Sequence, residues 1–159
     1  MTAALDWGEE GRSAMRKVLE DRLLSTLLMR SNLTRTQFET IFVDQLGPDL
    51  ANKSLTKEEM TELRHLGRKI SRGAFNRTLR QAHSNIAESI YTILLLGYSG
   101  LLDSPSLAPF IEASERLRGQ MGRFKEPLTD SVLYRDLIES ILHDLDEATD
   151  ALRGRRRGV

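Results

Sequence analysis

The sequence predicts an all-α protein, a multi-helix bundle with long N- and C-terminal helices. Three observations carry this. Apolar residues recur at three- and four-residue spacing along most of the chain. Period-two alternation, the mark of a half-buried strand, is absent over any useful length. Proline is scarce, with four residues, and each can sit at a helix boundary.

The elements follow in order. Residues 9 to 30 carry Met15, Val18, Leu19, Leu23 and Leu27 at helical spacing and form one amphipathic helix. Thr34 or Thr36 caps a second helix that buries Phe38, Ile41, Phe42 and Leu46 and ends at Gly47-Pro48. Thr56-Lys57-Glu58-Glu59 has capping-box spacing, in which the Thr hydroxyl and the Glu carboxylate each serve the other's amide. It opens a third helix with Met60, Leu63 and Leu66 inward, stopping near Gly67. Ser71 caps a fourth helix running to Leu96 and closing at Gly97. Its stripe of Phe75, Leu79, Ala82, Ile86, Ile90, Ile93 and Gly97 implies continuous burial, and the apolar segment Tyr91 to Leu96 should be covered on nearly all sides. A polar loop from Leu102 to Pro109 could border a ligand pocket, and a fifth helix with Phe110, Ile111 and Leu117 starts after Pro105 or Pro109. Gly119 to Pro127 reads as a linker. Thr129 or Asp130 caps a last helix with Leu133, Leu137, Ile138, Ile141, Leu145, Ala148 and Leu152 on one side. The organisation expected is residues 1–32 and 128–153 as terminal helices that form a dimer seam, a helical core over 33–120, and a basic tail over 153–159.

A chain of 159 residues with 40% hydrophobic and 29% charged residues has enough apolar surface for one compact core and is too apolar for general disorder. Without cysteine there is no disulfide framework and no thiolate chemistry. The opening residues carry acid where a signal peptide carries base, and the longest apolar run, Ile90 to Leu102, is too interrupted to span a bilayer. A cytoplasmic protein without membrane contact is expected.

The formal net charge is zero, but the charges are segregated. From Leu63 through Ala87 there is no acid, while the stretch holds Arg64, Arg68, Lys69, Arg72, Arg77 and Arg80. From Asp136 through Leu152 six acids occur with no Lys or Arg, and the chain then ends in an arginine cluster from Arg153 to Arg157. Segregation of this kind bears on partners more than the total does. On the fourth helix, with Phe75 set inward, the opposite side of the first half holds Gly73, Arg77, Arg80 and Ser84, flanked by Asn76 and Gln81. These residue types suit a duplex. Arginine forks onto guanine edges or phosphate, Asn and Gln pair with adenine edges, and glycine admits a close backbone. The exposed amides after Ser71, with the helix dipole behind them, favour phosphate.

Leu63-x-x-Leu66-Gly67 followed by Ile70-Ser71-Arg72-Gly73-Ala74-Phe75-x-x-x-Leu79 resembles the helix-turn-helix superfamily of DNA-binding regulators over residues 56–86. There a Gly sits in the turn, an aliphatic residue and a Ser open the second helix, and an apolar residue four after the Ser points inward. Here the turn is longer by Arg68 and Lys69, and no strand pair follows Gly97. The resemblance implies that the unit over 56–97 reads duplex DNA, with Arg68, Lys69, Ser71, Arg72, Gly73, Asn76, Arg77, Arg80, Gln81 and Ser84 as contacts. The function expected is transcriptional regulation by a homodimer. DNA is preferred to RNA because the basic side carries no aromatic residue for stacking.

The competing readings are a solvated basic face on a helical adaptor or assembly subunit, and a small RNA-associated subunit of a ribonucleoprotein complex. No Walker loop, dinucleotide fingerprint, His-Glu-x-x-His or nucleophile elbow occurs. His65, His83 and His143 lack ligand spacing to one another, and Glu139 with His143 is an isolated i,i+4 pair. No catalytic residue, metal or cofactor is therefore expected, and the protein is not read as an enzyme.

Overall fold

The computed structural model describes residues 7–51, 53–64, 70–102, 104–121 and 132–154. Among them the protein is all-helical, with seven α-helices and no strand: α1 (Trp7–Glu20), α2 (Arg22–Arg30), α3 (Arg35–Ala51), α4 (Lys57–Arg64), α5 (Arg72–Tyr98), α6 (Ser104–Met121) and α7 (Val132–Gly154). The chain divides into two compact units, 1–90 and 91–159.

In the first unit α1 packs on α2, α3 and α4, and α3 packs on α4. Met15, Val18, Leu19, Leu23, Phe42, Val43, Met60 and Leu63 form its core, joined by Phe75 and Ala82 from α5. The approach of α1 to α4 is close at Gly11, where a Cβ would lie 2.5 Å from Leu63 Cδ2. The single amphipathic helix expected over 9–30 is two helices. Asp21 leaves helical geometry (φ −62°, ψ 125°) and its carboxylate accepts the Leu24 amide at 2.8 Å. An Asp that bonds its own backbone in this way offers an alternative to helix continuation, and it starts α2 afresh.

The cap of α3 is Thr34. Gln37 N–H donates to Thr34 Oγ1 at 3.2 Å and Thr34 N–H to Gln37 Oε1 at 3.0 Å. The helix does not stop at Gly47-Pro48 but runs to Ala51, with the Pro48 carbonyl taking the Lys53 amide at 3.1 Å. Proline removes one hydrogen bond here, and Gly47 beside it is buried, with room for a Cβ limited by Leu55 at 3.2 Å and Val43 at 3.4 Å. Its buried side also differs from the expected stripe. Thr40 and Val43 are fully buried beside Phe42, while Phe38, Ile41 and Leu46 are half-buried.

The capping box of α4 forms as its spacing predicts. Thr56 N–H donates to Glu59 Oε2 at 2.8 Å and Glu59 N–H to Thr56 Oγ1 at 3.2 Å. Met60 and Leu63 are buried as expected, while Leu66 and Gly67 lie outside the described residues.

The second unit is built on α6 packed against α7, with Ala113, Ile138 and Ile141 buried between them. Arg116 bridges the pair, donating to Asp144 Oδ2 at 2.7 Å and to Ser140 Oγ at 3.3 Å. Of the two expected starts for this helix, the earlier, near Pro105, is close to the observed one at Ser104, so most of the expected loop from Leu102 to Pro109 is helical. Pro105 lies in the first turn, where amides have no helical partner, and Pro109 in the second removes one bond. The start of the expected linker, residues 119–121, also belongs to α6; the rest, with Thr129 and Asp130, lies outside the described residues. On α7, Leu137, Leu145, Ala148 and Leu152 are half-buried.

Candidate nucleic-acid interface

Helix α5 is 27 residues long, about 40 Å at the α-helical rise. Ser71 caps it, its Oγ accepting the Ala74 amide at 3.1 Å and its carbonyl the Phe75 amide at 3.0 Å. Phe75 and Ala82 are completely buried, and Leu79 and Ile86 are half-buried, so the first half of the helix is fixed by its apolar side. Two further contacts join the opening turns of α4 and α5. Lys57 Nζ stands 5.4 Å from the centre of the Phe75 ring, and Arg72 Nε is 3.3 Å from Glu58 Oε1. Residues 65–69, which connect the helices and include Arg68 and Lys69, lie outside the described residues.

A third anchor was not legible in the sequence. The turn before α3 is clamped to the middle of α5 by Asn32 and Asn85. Asn32 Nδ2 donates to the Asn85 carbonyl at 3.1 Å and to Ser89 Oγ at 2.8 Å. In return Asn85 Nδ2 donates to the Asn32 carbonyl and to Gln37 Oε1, both at 3.1 Å. Such a reciprocal exchange fixes both the height and the rotation of α5 against the first unit's other helices. It depends on residues 53 apart, a separation that local pattern does not reveal.

With the helix so fixed, Gly73, Asn76, Arg77, Arg80, Gln81 and Ser84 are all exposed. Arg77 and Arg80 meet no carboxylate among the described residues, and a one-turn separation puts their Cβ atoms about 5–6 Å apart on one side. Arg72 is exposed but paired with Glu58 across a solvent-facing contact. Ser71 is exposed with its hydroxyl occupied in capping, and the Ser84 hydroxyl donates to Glu88 Oε1 at 3.3 Å, where the acid-free face ends. Arg64, another member of the basic run, turns inward. It donates to Thr40 Oγ1 at 3.3 Å, and burial pushes its pKa down, with Glu39 opposing.

One expectation for α5 is reversed. Its C-terminal half is not the buried end: Ile90, Tyr91, Ile93, Leu94, Leu95 and Tyr98 are exposed, and so is Leu101 beyond it. The helix also runs past Gly97 to Tyr98. The left-handed residue is Gly100 (φ 74°), with Leu101 N–H donating to the Leu96 carbonyl at 2.9 Å and Gly100 N–H to that of Gly97 at 3.2 Å. Gly97-Tyr98-Ser99-Gly100 is thus a helix terminator.

Among the described residues no group of three or more His, Asp or Glu could hold a metal, and His143 lies 3.7 Å from Glu147. No described helix is long and apolar enough to cross a membrane. The arginines at 155–157 lie outside the described residues. No protein-family model, curated protein or solved structure matches the chain.

Proposed function

We propose that the chain binds duplex DNA with the outward side of the first half of α5, as a helix-turn-helix-like regulator. The observation that carries this reading is that Arg77 and Arg80 are exposed on a helix held from behind by Phe75, Ala82 and the Asn32–Asn85 exchange. Had carboxylates among the described residues engaged those guanidinium groups, the basic face would be explained as internal charge balance. Residues 72–84 span about 20 Å of helix, enough to cross a major groove about 12 Å wide. Arg77 and Arg80 supply the forked donors, Asn76 and Gln81 the amides suited to adenine edges, and Gly73 an open approach for backbone. Arg72 joins them at little cost, since an exposed ion pair such as that with Glu58 contributes about 0–1 kcal/mol. Arg68 and Lys69 extend the basic run in sequence.

The test is an electrophoretic shift comparing random duplex, single-stranded DNA and structured RNA at two salt concentrations. The reading expects duplex to be retained preferentially, with affinity falling as salt rises. Preference for RNA, or no retention of any nucleic acid, overturns it. The exposed apolar side of the second half of α5 favours a second reading, a helical adaptor that works through protein contacts alone.

A further inference from the structure

We infer, resting on the duplex reading above, that His83 grips a phosphate together with Arg80 and thereby couples duplex binding to pH.

His83 is exposed on α5, one turn after Arg80 and nearly two turns after Asn76. Three residues turn a helix by about 300°, so His83 and Arg80 stand about 60° apart around the axis. Their Cβ atoms are then about 5–6 Å apart, close enough for both side chains to reach one anion. Seven residues bring the helix almost back to the same angle, which sets His83 in line with Asn76.

The surroundings supply no anion for this ring. Among the described residues His83 makes no ion pair or hydrogen bond. Its helix neighbours one turn away are Leu79, Arg80, Ile86 and Ala87, of which only Arg80 is charged. Glu88, five residues on, points about 140° away around the helix and takes the Ser84 hydroxyl. From α4, Lys57 reaches α5 at Phe75 and Glu58 reaches it at Arg72, both far back along the helix from His83. From α3, Gln37 meets Asn85, and the Glu39 carboxylate is held by Arg35. A protonated imidazole here therefore faces a like charge and no carboxylate, and an incoming phosphate answers both cations.

Position along the helix selects phosphate over base. The N-terminal residues of a recognition helix reach base edges. His83 lies about 10 Å beyond Asn76, most of the roughly 12 Å width of a major groove, where the sugar-phosphate strand forms the rim. Phosphate oxygens only accept. A neutral imidazole offers them one N–H, whereas a protonated one offers two and a charge. Histidine exchanges that proton between about pH 5 and pH 8. A phosphate beside the ring favours the charged form, so the complex holds a proton that the free chain gives up. Affinity is then highest at the acid end of this range and falls as pH rises.

Fluorescence anisotropy of a labelled duplex with the full chain, at constant salt near the two ends of that range, tests the contact. The parent is expected to bind roughly 3- to 10-fold more tightly at the acid end. Its slope of log affinity against log salt should be steeper there by about 1. His83→Gln should match the parent at the alkaline end and lose the pH dependence. His83→Arg should bind at both ends as tightly as the parent does in acid. His65 and His143 remain in every variant, so the difference isolates His83. Duplex affinity that ignores pH, or that keeps its pH dependence in His83→Gln, overturns this contact and leaves the duplex reading standing. A parent that binds no duplex at either end overturns both.

Discussion

Phe75 sets the rotation of α5, because its ring is wholly buried and every residue on the opposite side is thereby turned to solvent. Phe75→Ala is expected to cost about 3–5 kcal/mol, as large aromatic truncations in cores do, and to lower the thermal midpoint measured by circular dichroism. Glu59 acts at the same scale. Its carboxyl is held below its ordinary 4.5, first by the hydrogen bond from Lys53 (2.6 Å) and then by the Thr56 amide. A pKa lowered in the folded state gives a contribution that is present above the ordinary value and fades as pH falls through the lower one. Glu59→Gln should therefore lose stability at neutral pH and show a shallower decline below pH 4.5 in denaturant titrations. The Thr56–Glu59 box was readable in the sequence because its partners are three residues apart. Arg64 was not. Nothing in the composition of the basic run distinguishes Arg64, which turns inward to Thr40, from Arg77 and Arg80, which stay outside.

Periodicity located the helices, but their breaks and their contacts depended on finer chemistry. Apolar spacing is equally satisfied by one helix over 9–30 and by two joined at a capping Asp21, and the carboxylate decides between them. Proline signals overstated the boundaries, since both Pro48 and Pro109 lie inside helices. The largest difference concerns α5. Its apolar second half was legible as a surface in need of cover, but a sequence does not say which molecule supplies the cover, and the described chain leaves it exposed. The Asn32–Asn85 exchange yields the prediction at this scale. Asn85→Ala leaves the Asn32 carbonyl without its donor and Gln37 with one partner fewer. We expect a loss of about 1–3 kcal/mol in chemical denaturation, together with faster amide exchange around residues 31–34.

At the scale of the whole molecule, zero net charge conceals a basic segment, an acidic last helix and a terminal arginine cluster. Two acids of α7 are paired with arginines, Asp144 with Arg116 of α6 and Asp150 with Arg153. Arg77 and Arg80 have no carboxylate partner among the described residues, and that contrast supports the proposal that the first half of α5 meets a polyanion. The all-helical class was legible because helix signals recur in every segment. The exposed side of the first half of α5 was legible once Phe75 was set inward, whereas the connection at 65–69 that carries Arg68 and Lys69 lies outside the described residues. The most direct measurement is the salt dependence of duplex affinity, by fluorescence anisotropy, for the parent chain and for Arg77→Ala and Arg80→Ala. Each variant should bind roughly 5- to 100-fold more weakly, with the slope of log affinity against log salt reduced by about 1 where the lost contact is to phosphate, and with unchanged melting. Equal affinity and equal slope for all three proteins would contradict the assignment of this face to DNA.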